Sequence, residues 1–156
     1  MAFAMEFKDG KRAYSVSFGV GRDRFGRVEP NRFEDVMLVQ FLLRRGWEPS
    51  SDSRPQGQLL QVDGIFGPTT HYWILAFQAL LHKRITGTVK SLKPADSYDA
   101  LEVSEPNMFW LCNGYNRLAN GNRLAKGVPG FYTNLLDDPK LPAQLRLALK
   151  TQPHKF

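Results

Sequence analysis

The chain begins with two short runs in which apolar and polar residues alternate. The alternating apolar positions are Phe3, Met5 and Phe7 in the first run and Tyr14, Val16, Phe18 and Val20 in the second. Asp9-Gly10 lies between the runs and is typical of a tight β-turn. The pattern predicts an N-terminal β-hairpin, followed by a loop rich in glycine, arginine and aspartate from Gly19 to Pro30.

A longer apolar segment, Val36 to Leu43, predicts the first helix. It is apolar almost all the way round a helix, so we expect it to be covered on more than one side. Asn31 and the glutamate three residues later match a capping box, which predicts a helix running to about Arg45. Gly46 predicts the end of this helix, and we expect a polar loop to begin at Trp47.

The second predicted helix begins at Gly67-Pro68, because proline is favoured at the first helical position, where no N–H is needed. It continues to about Leu81, and a loop is expected from Ile85 to Asp99. Both helices contain a glutamine in an apolar string, Gln40 and Gln78, at a spacing of 38 residues. Two helix-loop units sharing one core would explain this repeat, and a chance match between short helical strings is the alternative.

Two further helices are predicted in the second half of the chain. Ser104 is expected to cap a third helix ending near Asn120, with Cys112 on its apolar stripe. Pro142 is expected to open a short amphipathic helix that uses Leu141, Leu145, Ala148 and Leu149. Residues beyond Thr151 are expected to fray.

The length of 156 residues is that of a single domain. We divide it into a hairpin and loop (1–30), a helical core (31–120) and a C-terminal extension (121–156). The net charge is +6, and residues 112–156 contain seven basic and two acidic residues. These charges are spaced singly, which favours a solvated helical face and gives no indication of a nucleic-acid partner.

The start of the chain does not resemble a targeting signal, because charged residues interrupt its first dozen positions. No apolar window has the length of a membrane helix. We therefore expect a protein that is cytoplasmic as synthesised, without membrane insertion, and whose export would use a signal-independent route.

Catalytic and metal-binding patterns are not visible in the sequence. The three histidines lie far apart, and the single cysteine, Cys112, excludes an internal disulfide framework. The acidic runs Asp99 to Glu105 and Asp137-Asp138 are not in a recognisable catalytic setting. We predict a protein that is not an enzyme, has no cofactor and keeps Cys112 as a buried, inert thiol.

The string Val62 to Thr70 reads physically as a turn that leads into a helix. Gly64 and Gly67 allow a positive φ or a close backbone approach, and Ile65 and Phe66 are expected to point inward. Asp63 can accept hydrogen bonds from nearby amides, and Thr69 or Thr70 can bond within the first helical turn. We assign a structural role to Asp63, Gly64, Phe66, Gly67, Pro68 and Thr69.

Three segments in this order and spacing resemble the peptidoglycan-binding-like domain family. They are Glu34 to Leu43, Asp63 to Thr69 and Ala76-Phe77-Gln78, and the match covers about residues 30–85. The resemblance implies a mainly α fold: a three-helix bundle, here with an N-terminal β-hairpin and a C-terminal helical extension. It also implies a noncatalytic module that binds peptidoglycan fragments or cell-wall glycan. The chain departs from the family in a longer loop before Asp63 and at Thr86-Gly87-Thr88-Val89, which lacks the aspartate and second glycine of a repeated turn.

A second, weaker resemblance concerns the C-terminal part. The segment around Leu111 to Asn116 and the segment Phe131 to Leu145 are similar to extensions of signal-less family members associated with type VI secretion. This resemblance implies an alternative function, a protein-interaction adaptor that contacts secretion-system proteins.

Sugar recognition uses flat aromatic faces beside polar groups. The candidate platforms are Trp47, Tyr72 and Trp73, with Trp110 and Tyr115 farther along the chain. Arg44, Arg45 and Lys83 are the candidates to bind stem-peptide carboxylates. The alternatives are that these aromatic rings belong to the core and that these cations are solvated helix ends.

Overall fold

The computed structural model describes residues 2–6, 12–22, 26–47, 55, 57–86, 112, 135–151 and 154–155. Its helices are α1 (Phe33–Trp47), α2 (Pro68–Thr86) and α3 (Ala143–Thr151), with a short 3-10 turn at Leu135–Asp137. Its strands are β1 (Phe3–Glu6), β2 (Arg12–Ser15) and β3 (His154–Lys155). Helices thus dominate the described part of the chain, and the predicted mainly α class is confirmed at this level.

The strands form a sheet of order β2-β1-β3. β1 and β2 are antiparallel, with Phe3 opposite Ser15, so the predicted hairpin is confirmed. The predicted turn at Asp9-Gly10 lies outside the described residues. β3 pairs in parallel with β1, with Met5 opposite His154. The expectation of a frayed C-terminus is therefore wrong, because the backbone of β3 pairs with the first strand.

The segment between β2 and α1 is fixed by two side chains. The Asn31 side chain accepts a hydrogen bond from the amide of Gly21 (2.7 Å) and donates to the carbonyls of Gly21 and Glu29. The predicted capping box is wrong, because Asn31 has a φ of +46° and bonds to the preceding loop, so the helix begins at Phe33. The buried Asp35 carboxylate accepts from the amides of Ser17 and Phe18, and burial raises its pKa.

α1 is buried from Asp35 to Leu43, and its apolar segment from Val36 to Leu43 is covered on several sides, as predicted. The helix includes Gly46 and ends at Trp47, so the predicted loop start at Trp47 is wrong. Gly46 lacks the positive φ of a helix-terminating glycine and keeps the helical backbone. α2 begins at Pro68, as predicted, and continues to Thr86, beyond the predicted loop start at Ile85.

α3 follows Pro142 as predicted and packs against α1 and β1. Leu141, Leu145 and Leu149 join the same hydrophobic cluster as residues of the hairpin, α1 and α2. The C-terminal segment therefore contributes to the shared core. The predicted helix from Ser104 to Asn120 lies outside the described residues except for Cys112, which is helical and buried.

Candidate functional site

A buried glutamine of α1 holds the turn that precedes α2. Gln40 is 1% exposed. Its side-chain nitrogen donates towards Asp63 Oδ1 (3.0 Å), the carbonyl of Ile65 (3.1 Å) and Thr70 Oγ1 (3.0 Å). Its side-chain oxygen accepts from the amides of Asp63 (3.1 Å) and Gly64 (2.8 Å). Because both ends of one buried amide bond to the turn, Gln40 fixes the turn's position on the core.

The turn has the backbone that its glycine and aspartate favour. Gly64 has a φ of +75°, as expected for the left-handed region, and a Cβ there would collide with the ring of Phe33. Asp63 Oδ1 also accepts a hydrogen bond from the amide of Ile65 (3.0 Å), as its predicted role requires. Gly67 was expected to provide a positive φ or a close backbone approach. This expectation is wrong, because Gly67 has no positive φ and no described atom lies within 4 Å of a Cβ added there.

The two hydrophobic residues of the turn point in different directions. Phe66 is half-buried, packs against the core and meets the His71 ring edge-on, with centroids 5.8 Å apart. Ile65 is 66% exposed, so the expectation that it points inward is wrong. Its carbonyl faces the buried Gln40 amide, which leaves its side chain at the surface.

A groove of about 170 Å³ lies beside this turn. Its lining comes from the extended segment before the turn, the turn itself and the first residues of α2, with Gln40 of α1 joining them. The lining residues are Gln40, Gln58, Leu59, Leu60, Gln61, Asp63, Ile65, Gly67, Pro68, Thr69 and Thr70. Among the described residues of this lining, Asp63 has the one ionisable side chain, and exposed Leu59 and Ile65 add apolar surface. The groove therefore offers amides, hydroxyls, two aliphatic side chains and one carboxylate.

The two arginines at the end of α1 form hydrogen bonds with other residues of the chain. Arg44 Nη1 donates to the carbonyl of Leu60 (3.1 Å), which positions one side of the groove. Arg45 Nε bonds to Oδ2 of the buried Asp138 at 3.0 Å. Both cations were predicted to meet ligand carboxylates. In the structure, Arg44 supports the groove wall and Arg45 connects α1 to the segment before α3.

The predicted aromatic platforms lie in different environments. Trp73 is 1% exposed and belongs to the core, so its assignment as a ligand-binding residue is corrected: the ring is enclosed by apolar side chains. Tyr72 is 42% exposed and lies one helical turn after Pro68 on the same face of α2. Trp47 and Lys83 lie on α1 and α2, and their side chains are outside the described part.

Cys112 and His71 are nucleophilic or titratable groups with shifted pKa values. Cys112 is buried, its thiol donates to the carbonyl of Tyr14 (3.5 Å), and burial raises the pKa of this thiol to about 12. The prediction of a buried thiol is confirmed. Burial, together with the charge of Arg22, lowers the pKa of His71. Within the described ranges, no group of three histidine, cysteine, aspartate or glutamate residues could hold a metal ion.

The sequence predicted the turn but missed the residue that organises it. Gln40 was noted as a repeat position and within the family-like segment Glu34 to Leu43 but was given no role, although a single amide within an apolar run signals a buried polar group that needs partners. The groove residues Gln58 and Gln61 were also missed, because a polar loop carries no periodicity that would show which side chains face a cavity.

No protein-family model matches this chain, and no curated protein or solved structure matches it significantly. No helix in the described ranges is long and apolar enough to cross a membrane.

Proposed function

We propose that this chain is a noncatalytic module that binds peptidoglycan fragments or cell-wall glycan in the groove before α2. The observation that carries the proposal is the groove's lining of neutral polar side chains, including Gln58, Gln61 and Thr69. Amide side chains both donate and accept hydrogen bonds, as the hydroxyl and acetamido groups of cell-wall sugars require. Few polar groups on a concave surface are typical of sites that orient a small ligand.

The exposed ring of Tyr72 follows a residue of the groove lining on α2. Pro68 lines the groove, and Tyr72 follows it on the same face of α2. An amphipathic ring at the edge of a groove provides a flat face for a sugar and a hydroxyl for its polar edge. We therefore assign Tyr72 as the aromatic platform of the site, and Asp63 and Thr69 as polar contacts.

The proposal also includes an assignment of the helices to the three-helix bundle that the sequence predicts. We infer that α1, α2 and the helix that the sequence predicts around Cys112 correspond to the three helices of the peptidoglycan-binding-like family. The order of the segments, the positive φ of Gly64 and the start of α2 at Pro68 support this correspondence.

Co-sedimentation with insoluble murein at about 0.15 M salt, the physiological range, tests the proposal. We expect enrichment in the pellet relative to an unrelated domain, and a loss of about fivefold for Tyr72→Ala, since an aromatic contact contributes about 1 kcal/mol. Phe18→Ala is the matched control, because Phe18 is an exposed ring that does not line the groove. Absence of enrichment for the unaltered protein would overturn the proposal.

The alternative is an adaptor that contacts secretion-system proteins, and exposed Leu59 and Ile65 favour it because aliphatic side chains suit a protein surface. The adaptor predicts that murein does not enrich the protein. An enzyme would release soluble muropeptides from murein, and we expect no release from this chain.

A further inference from the structure

The groove contains a carboxylate with one oxygen available to a ligand. Asp63 Oδ1 accepts from the side chain of Gln40 and the amide of Ile65. Asp63 is exposed, and its Oδ2 has no hydrogen-bond partner among the residues that the structure describes. One oxygen therefore holds the turn, while the second belongs to an exposed carboxylate and is available to a ligand.

The cations near the groove bond to other groups, so none of the described lining residues neutralises the Asp63 carboxylate. Arg44 donates to the carbonyl of Leu60, and Arg45 bonds to Asp138. No lysine, arginine or histidine is among the described residues that line the groove. A ligand carboxylate would meet the like charge of Asp63, whereas a ligand ammonium would complement it.

The lining also offers apolar contacts beside the carboxylate. Leu59 and Ile65 are exposed and line the same groove as Asp63. A primary ammonium on an aliphatic chain fits this combination, because its methylene groups can lie on apolar surface while its charged end bonds to the carboxylate.

Resting on the proposed function, we propose that the groove recognises the free side-chain ammonium of the diamino acid in the peptidoglycan stem peptide. Cross-linking converts this amine into an amide, which removes its charge. The site would therefore prefer stem peptides that are not cross-linked.

Calorimetric titration with two soluble muropeptides tests this inference. The first carries a free side-chain amine, and the second is the same compound with that amine acetylated. We expect acetylation to weaken binding by about fivefold, the size of one well-formed exposed ion pair. Asp63→Asn keeps an amide oxygen for Gln40 and Ile65 but removes the charge. It should weaken binding of the free amine about fivefold and remove the preference for the free amine over the acetylated form.

Asp137→Asn is the matched control, because it removes an exposed carboxylate that does not line the groove. Equal affinity for the two muropeptides overturns the inference and leaves the proposed function intact. Tighter binding of the acetylated form overturns it as well. Failure of both muropeptides and of insoluble murein to bind overturns the inference together with the proposed function. The comparison of the two ligands uses the unaltered protein, so it decides the question even if Asp63→Asn unfolds.

Discussion

The side-chain oxygen of Gln40 accepts a hydrogen bond from the backbone amide of Gly64 at 2.8 Å. This contact joins the middle of a buried helix to the turn that forms one side of the groove. The same glutamine also bonds to Asp63, Ile65 and Thr70. Core stability and groove shape are therefore linked through a single side chain.

Replacing Gln40 with methionine tests this link. Methionine preserves the volume but leaves the buried amide of Gly64 without its acceptor. A buried polar group that loses its partner costs about 1–3 kcal/mol, and several groups are affected here. We expect Gln40→Met to lower the free energy of unfolding, measured in urea, by about 2–4 kcal/mol.

The matched control is Gln61→Met, because Gln61 is an exposed glutamine of the same groove. It should change stability by less than about 0.5 kcal/mol. Equal losses for the two variants would contradict the role assigned to Gln40.

Gly64→Ala tests the backbone of the turn. The substitution forces a side chain into the left-handed region and against the ring of Phe33. We expect a loss of about 2–3 kcal/mol in unfolding free energy, the sum of the backbone and steric terms. Removing the ring with Phe33→Ala should restore part of the steric loss in the double variant.

Substitutions at two other glycines distinguish the cost of the positive φ from the cost of the contact with Phe33. Gly57 has a φ of +98° with open space around it, and Gly67 has open space without a positive φ. We therefore expect about 1 kcal/mol for Gly57→Ala and a small effect for Gly67→Ala. A loss at Gly64 no larger than that at Gly57 would disprove the contact with Phe33.

The bond between Arg45 and Asp138 connects α1 to the segment before α3. Arg45→Met removes the guanidinium that bonds to the buried Asp138 carboxylate, so we expect a loss of about 1–3 kcal/mol in unfolding free energy. Lys150→Met, which removes an exposed cation of α3, should have an effect below about 0.5 kcal/mol. Similar values for the two variants would show that the pair does not stabilise the fold.

Alkaline pH should destabilise the protein through Cys112. Burial raises the pKa of its thiol from 9.0 to about 12. The thiol of the unfolded chain loses its proton at a lower pH than the buried thiol of the folded protein. The contribution of Cys112 to the free energy of unfolding is therefore fully present below pH 9 and is lost as the pH rises from 9 to 12. The slope from this group approaches about 1.4 kcal/mol per pH unit. The check is urea unfolding between pH 8 and 11. Cys112→Ala should flatten the profile above pH 9, and an unchanged slope would be the contrary result.

The helices could be predicted because local chemistry determines their boundaries and faces. Pro68 opens α2 because a first-turn residue needs no N–H, and the apolar period of α3 determined which side chains are buried. The capping box predicted at Asn31 was wrong because an asparagine side chain can bond either to a helix end or to a nearby loop. In the structure it bonds to the backbone of Gly21. β3 was missed because a two-residue strand has no pattern and its register depends on a partner near the other end of the chain.

The site was harder to predict, because its residues are defined by distant contacts. A sequence does not show that Arg45 meets an aspartate 93 positions away or that Arg44 bonds to a backbone carbonyl. The turn itself was foreseen, since Asp63 and Gly64 have strong local preferences. Trp73 and Tyr72 are neighbours in sequence, yet one is enclosed and the other exposed, because successive helical residues point in different directions.

The most direct test of the proposed function is amide chemical-shift mapping of the labelled protein during titration with a soluble muropeptide. We predict saturable shifts concentrated in the segment from Gln58 to Tyr72, which contains most of the groove lining and the exposed ring. The amides of α3, on a different part of the core, should remain unchanged. Absence of shifts, or shifts confined to α3, would contradict the assignment of this groove as the ligand-binding site.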